Sequence, residues 1–243
     1  RGRRFILPGH TYHVTHRCHQ REFLLKFKQD RNTYREMMRE RLMKYRVSLF
    51  SYTLTSNHVH LLLRPNPASA LESLSGFMQS LEGDFAQHYN LRKGRENAFW
   101  GDRYHATMVE SGSHLWRCLI YIDLNMVRAG QVEHPADWVW SGYRELMGLR
   151  ERYRVLDTGQ LLEHLGGVSV AAFRAHYGDS IEEALKSRAL HRDAKWTESL
   201  AVGSEAYVRD VGKQVAHRVR LDYLEDGTDR ATWLVRETRP AYA

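Results

Sequence analysis

The chain has 243 residues, 36 Lys/Arg against 29 Asp/Glu for a formal net charge of +7, and 42% hydrophobic residues. That length and apolar content support one sizeable core, alone or with a small appendage, and with 11% aromatics they exclude a chain that is disordered overall. No run reaches the roughly 18 apolar residues of a membrane span, and the short apolar stretch after the basic N-terminus does not make a signal peptide.

His10–Arg17, following Pro8-Gly9, predicts a strand of β-formers in rough alternation. Residues 29–46 predict a helix, with Met37, Met38, Leu42 and Tyr45 at helical spacing and Arg, Glu and Lys on the other face. Residues 47–55 and 58–64 predict two more strands around the turn at Ser56-Asn57. A helix from about Ala68 to Tyr89 carries Leu71, Leu74, Phe77, Met78, Leu81 and Phe85 at steps of three and four. A fourth strand follows at 104–110, then a helix from Ser113 to about Val127, closed by Ala129-Gly130. The order is that of a ferredoxin-like split βαβ fold: an α+β arrangement with an antiparallel sheet and helices on one face. Beyond Gly148 the pattern reads as short helices only (157–165, 169–177, 179–190 and 204–220), with 231–243 as a tail. This gives an α+β unit over 1–148 and a helical extension over 149–243.

The excess charge is localised. Residues 1–50 hold 13 Lys/Arg against 4 Asp/Glu, whereas the rest of the chain is slightly acidic. A concentrated basic surface suits a polyanionic partner such as nucleic acid, or it is a solvated helix face. Cys18 and Cys118 fit no metal-ligand spacing and read as reduced thiols of a cytosolic protein.

Two pairs of residues carry chemistry. In a strand, His58 and His60 of His58-Val59-His60 project to one face while Val59, Leu61 and Leu63 take the other, so two imidazoles stand together on an open sheet face as a pair of metal ligands. Two histidines alone rarely hold a catalytic metal, and ordinary strand histidines share this pattern. In Tyr121-Ile-Asp-Leu-Asn125, the i, i+4 spacing puts a phenol and an amide on one helix stripe. The Asn125 carbonyl suits a hard cation such as magnesium or manganese. A half-buried tyrosine and an asparagine near a helix end would look the same.

Together these residues resemble the single-tyrosine HUH transposases, and most closely their REP-associated branch. His58-Val59-His60 is similar to the HUH motif, and Tyr121-Ile-Asp-Leu-Asn125-Met-Val-Arg128-Ala-Gly130 to the catalytic-helix motif. The stretches Leu7-Pro8-Gly9-His-Thr-Tyr12-His13-Val14-Thr15-His-Arg17, Phe99-Trp100-Gly-Asp-Arg103-Tyr104 and Trp140-Ser-Gly-Tyr143 also match, in order, across about residues 3–148. Met126 departs from the proline usual in the branch, which bears on where the helix ends.

The resemblance implies a divalent ion (magnesium or manganese) held by His58, His60 and Asn125. It implies Tyr121 as the nucleophile that cuts single-stranded DNA beside a REP-type hairpin and keeps its 5′ phosphate. The protein would act as a monomer or homodimer near the bacterial nucleoid. Arg3, Arg4 and Arg17 would contact phosphates, Tyr12, His13 and Trp100 would stack unpaired bases, and Arg103 would read a guanine edge. A free phenol ionises near pH 10, so a neighbouring group must help, and the sequence does not name it. Three alternatives remain: a catalytically retired binder of chromosomal palindromes, a sheet-surface RNA-binding module, and a phosphoesterase that uses water as its nucleophile.

Overall fold

The computed structural model describes residues 4–187, 191–227 and 229–238. Arg3, one of the expected phosphate contacts, lies outside them, as does part of the expected tail. Its strands and helices run in the order β1 (Thr11–Arg17), α1 (Lys28–Tyr45), β2 (Ser48–Leu54), β3 (His58–Arg64), α2 (Ala70–Lys93), β4 (His105–Val109), α3 (Ser113–Asp123) and α4 (Asn125–Arg128). Then come α5 (Tyr143–Leu146), α6 (Thr158–His164), α7 (Val170–Ser187), α8 (Lys195–Glu198), β5 (Ala201–Gly203), α9 (Glu205–Val215), β6 (Leu221–Asp226) and β7 (Asp229–Glu237).

Among the described residues the strands form one sheet in the order β2-β3-β1-β4-β5-β7-β6. The first four strands, all antiparallel, are the expected split βαβ core, with α1 and α2 as its two crossovers. Helices cover both faces, not one. Strand alternation explains the division. Val59, Leu61 and Leu63 of β3 join Tyr12 and Val14 of β1 in a core with Tyr34, Met38, Leu74, Phe77 and Leu81 of α1 and α2. Leu62 points the other way and joins Leu115, Leu119 and Ile122 of α3, Leu161 of α6, and Phe173 and Tyr177 of α7. The histidine face of β3 is therefore roofed rather than open.

The region after Gly148 is not wholly helical. β5 pairs in parallel with β4, at Met108↔Ala201 and Val109↔Val202, and β7 and β6 extend the sheet beyond it. Residues 231–237, expected as part of a tail, belong to β7, of which Leu234 and Val235 are core residues. The two helices expected at 169–177 and 179–190 are one, running through Gly178.

The Trp140-Ser141-Gly142-Tyr143 motif protects the outer edge of β2. Leu54 N donates to Trp140 O at 2.9 Å and Gly142 N donates to Tyr52 O at 2.8 Å, so the segment acts as a fragment of an eighth strand. Gly142 is needed there: a Cβ would come within 2.7 Å of Ser51 Oγ and 3.2 Å of the β2 backbone.

α3 stops sooner than expected. Its axis breaks at Leu124 (φ −79°, ψ 2°), one short turn of α4 follows, and Gly130 (φ +63°) ends it. The break occurs without a proline, and buried Met126 does not prolong the helix. α3 is pinned from both sides at Asp123, where Tyr177 Oη donates at 2.7 Å and Ser51 Oγ at 3.2 Å. Burial raises this carboxyl to about 7, against the pull of those two hydrogen bonds.

Candidate active site

β3 begins at the tight turn Thr55–His58, where Thr55 N donates to His58 O at 3.0 Å. From there His58 and His60 project to one face, their ring centroids 4.8 Å apart. His58 is half-buried and His60 is buried. The proton on His58 can be placed. Its Nδ1 lies 2.9 Å from Thr55 Oγ1 and 2.7 Å from Asn57 Oδ1. The Thr55 hydroxyl already donates to His58 O, and Asn57 Nδ2 donates to Arg21 O at 3.1 Å, which fixes that amide's orientation. His58 Nδ1 is therefore the donor, to Asn57 Oδ1, and Nε2 is left with a lone pair.

The α3–α4 break brings both expected partners over this face. The Tyr121 ring stands edge-on to His60, with centroids 6.1 Å apart, and Asn125 Nδ2 lies 3.0 Å from His60 Nε2. His58, His60, Tyr121 and Asn125 thus meet within one chain. Among the described residues, no group of three or more His, Cys, Asp or Glu side chains is placed to hold a metal ion. A cation here would have to use two imidazoles and the neutral Asn125 amide. The donor chemistry fits: His58 Nε2 has a lone pair, and the His60–Asn125 contact is the size of one lost hydrogen bond.

Burial is the main reason the histidines stay neutral, and nearby arginines add to it. His58 is depressed to about 3, by burial first and then by Arg17, Arg128 and Arg192, and His60 is also held well below its ordinary value. Burial raises the Tyr121 phenol, while Arg128 and Arg192 pull it back down. The Arg128 guanidinium sits 4.3 Å from the centre of the Tyr121 ring and donates to Tyr121 O at 2.9 Å. Arg128 lies within the quoted motif, but its role could not be read from sequence, because its approach to Tyr121 depends on the break at Leu124.

The expected DNA contacts divide. Arg17 is exposed and opposite His58 in the β1–β3 register. Arg4 packs its guanidinium 4.1 Å over the Tyr104 ring, and Arg103 is exposed nearby. Tyr12 and His13 cannot stack on bases, since both are 0% exposed. Tyr12 faces the α1–α2 core and its hydroxyl donates to Leu7 O, whereas His13 lies under α8. Trp100 is half-buried, stacked on His16 at 4.3 Å with its Nε1 donating to Glu82 O. Its faces and edge already serve packing.

Trp196 carries no motif or spacing that would mark it from sequence. It comes from the far end of the chain, places its ring 6.3 Å from Tyr121 and turns its carbonyl toward His13. Both cysteines are buried and free, and no helix among the described residues is long and apolar enough to cross a membrane.

The family model described as "Transposase IS200 like" matches residues 7–124, just under half of the chain. Among solved structures, the chain resembles a REP-associated tyrosine transposase bound to a REP hairpin, at 17% identity and a TM-score of 0.52 over 64% of this chain and 88% of that one. It also matches a putative transposase from Deinococcus radiodurans R1, at 18% identity and a TM-score of 0.36 over 54% and 95%. The first likeness speaks to the fold. No curated protein matches the chain significantly in sequence.

Proposed function

We propose that the protein is a metal-dependent nuclease and strand transferase that cuts single-stranded DNA beside REP-type hairpins through a phosphotyrosine on Tyr121. The observation that carries this reading is the convergence of the Tyr121 ring on His60, with His58 and Asn125 beside it, in one chain. A retired binder would have no use for that constellation.

His58 Nε2, His60 Nε2 and the Asn125 carbonyl would hold the cation, with that carbonyl taking the place of the amide N–H now facing His60. When bound, the ion neutralises charge on the scissile phosphate and orients it. The protein's own groups do the rest. Arg128 favours loss of the phenolic proton. The Tyr121 oxygen then attacks phosphorus, the bond from phosphorus to the 3′ oxygen breaks, and that oxygen leaves as a 3′ hydroxyl after taking a proton. One phosphoester replaces another, so a 3′ hydroxyl can later reverse the reaction without an energy source.

Phosphate contacts fall to Arg17 and to Arg21 in the loop after β1. That loop is tied to the turn before His58 by Cys18 N to Asn57 O at 2.8 Å and Leu25 N to Ser56 O at 2.9 Å. Phe23 and Phe27, 66% and 55% exposed in the same loop, take over the base stacking first assigned to Tyr12 and His13, a contact worth about 1–3 kcal/mol per base.

The test is incubation with a labelled hairpin oligonucleotide from repeats near the protein's own gene, with magnesium or manganese, on a denaturing gel. The expected result is a slow protein–DNA band that needs metal and disappears in Tyr121→Phe and in His58→Ala/His60→Ala. Cleavage unaffected by Tyr121→Phe would instead establish a water-using phosphoesterase. Binding without cleavage would establish a retired binder.

A further inference from the structure

His13 belongs to neither the hydrophobic core nor the surface. It is fully buried on β1, one strand over from His60, with the two rings within 13° of parallel. Its hydrogen bonds fix where the protons lie. Trp196 O can only accept, and it lies 2.8 Å from His13 Nδ1, so that nitrogen carries the proton. The other nitrogen of a neutral imidazole is then bare. His13 Nε2 must accept, and it lies 2.9 Å from His60 Nδ1, which must therefore donate. His60 Nε2 is left with the lone pair, and this is the atom that meets the Asn125 amide in the site.

We propose that His13, oriented by the main-chain carbonyl of Trp196, is a positioning residue that locks His60 in the tautomer presenting a bare Nε2 to the site, and so sets how tightly the site holds a divalent cation. The second half of this rests on reading His60 as a metal ligand; the first half does not. The opposite His60 tautomer would aim an N–H at the cation and leave Nδ1 and His13 Nε2 facing each other with two lone pairs. The ring nitrogen away from a metal needs an acceptor to fix it. His58 uses the Asn57 side chain for this, and His60 uses His13. The relay also makes α8, 183 residues beyond His13, part of the site.

The test has two readouts, neither of them activity. Long-range ¹H–¹⁵N correlation spectra of metal-free, ¹⁵N-histidine-labelled protein should show both His13 and His60 as Nδ1–H tautomers. A His60 protonated on Nε2 would overturn the proposal without any variant. Manganese titration, followed by the loss of the free Mn²⁺ electron paramagnetic resonance signal, should show a dissociation constant raised about 10–100-fold in His13→Leu. His13→Gln, whose amide head keeps one donor and one acceptor, should lie within a few-fold of wild type. Folded His13→Leu protein binding Mn²⁺ like wild type would overturn the proposal. If wild type shows the expected tautomers but binds no Mn²⁺, the relay stands and the metal reading fails.

Discussion

Replacing Arg128 by glutamine removes the cation closest to the proposed nucleophile. The guanidinium lies 4.3 Å from the centre of the Tyr121 ring. At an effective dielectric constant of about 20, one charge about that far away favours the phenolate by about 3–4 kcal/mol. Arg192 acts in the same direction from a more exposed position, so the loss of Arg128 alone should cost somewhat less. Single-turnover cleavage at pH 7.5 should slow about 10–100-fold in Arg128→Gln, with Arg128→Lys in between. The distinguishing feature is the pH profile. Burial holds this phenol above its ordinary value, so near neutral pH the rate of both proteins should rise about tenfold per pH unit with a constant deficit between them. No deficit, a rate that does not rise with pH, or a deficit that Arg128→Lys shares in full would refute the electrostatic role and leave Arg128 with its hydrogen bond to Tyr121 O as its whole contribution.

Other consequences can be measured without DNA. Tyr177→Phe removes a hydrogen bond to the buried Asp123 carboxyl and should cost about 1–3 kcal/mol in urea unfolding. Asp123 ionises in the folded state near 7, and the hydroxyl favours the ionised form, so that loss should be larger at pH 8 than at pH 6. Gly142→Ala drives a Cβ against Ser51 and the β2 backbone and should cost about 1–3 kcal/mol by the same assay. His13 and His58 are both depressed to about 3 in the folded protein, while the unfolded chain takes up protons below about 6.5. The contribution of these two rings to the stability of the metal-free protein should therefore be level above pH 6.5 and fall below it, whereas the raised Asp123 carboxyl acts in the opposite sense below pH 7. The loss is about 1.4 kcal/mol per pH unit for each ring, or about 2–3 kcal/mol in all at pH 5.5. A change in unfolding midpoint from pH 7.5 to 5.5 that is the same in wild type and in His13→Leu would contradict the buried, neutral state of His13.

The core of the site was legible because it follows local periodicities. His58 and His60 are two apart in a strand bounded by a turn and a proline, and Tyr121 and Asn125 are four apart on a helix. Each pair needs only its own element to share a face. The first four strands and the two crossover helices could be read for the same reason. What stayed hidden depends on long-range placement. His13 shares a face with His60 by simple alternation, but only the packing of α8 shows that the face is covered there and not free to meet a base. Trp196 contributes a main-chain carbonyl, which leaves no trace in residue type. Arg128 was visible as a residue but not as a neighbour of Tyr121. β5 is three residues long, too short to alternate, and β6 is a partly exposed, acidic edge strand, so neither resembles a buried strand in sequence. The basic first fifth of the chain proved to include the loop carrying Phe23 and Arg21, beside the histidine turn.

The most direct test of the central claim is to map the covalent bond. The protein is incubated with hairpin DNA and manganese, digested with trypsin and nuclease, and its peptides are sequenced by mass spectrometry. Tyr121 should carry a nucleotide joined through its 5′ phosphate, on the tryptic peptide running from Cys118 to Arg128. DNA cleavage with Tyr121 unmodified, or with the nucleotide on any other residue, would contradict the account.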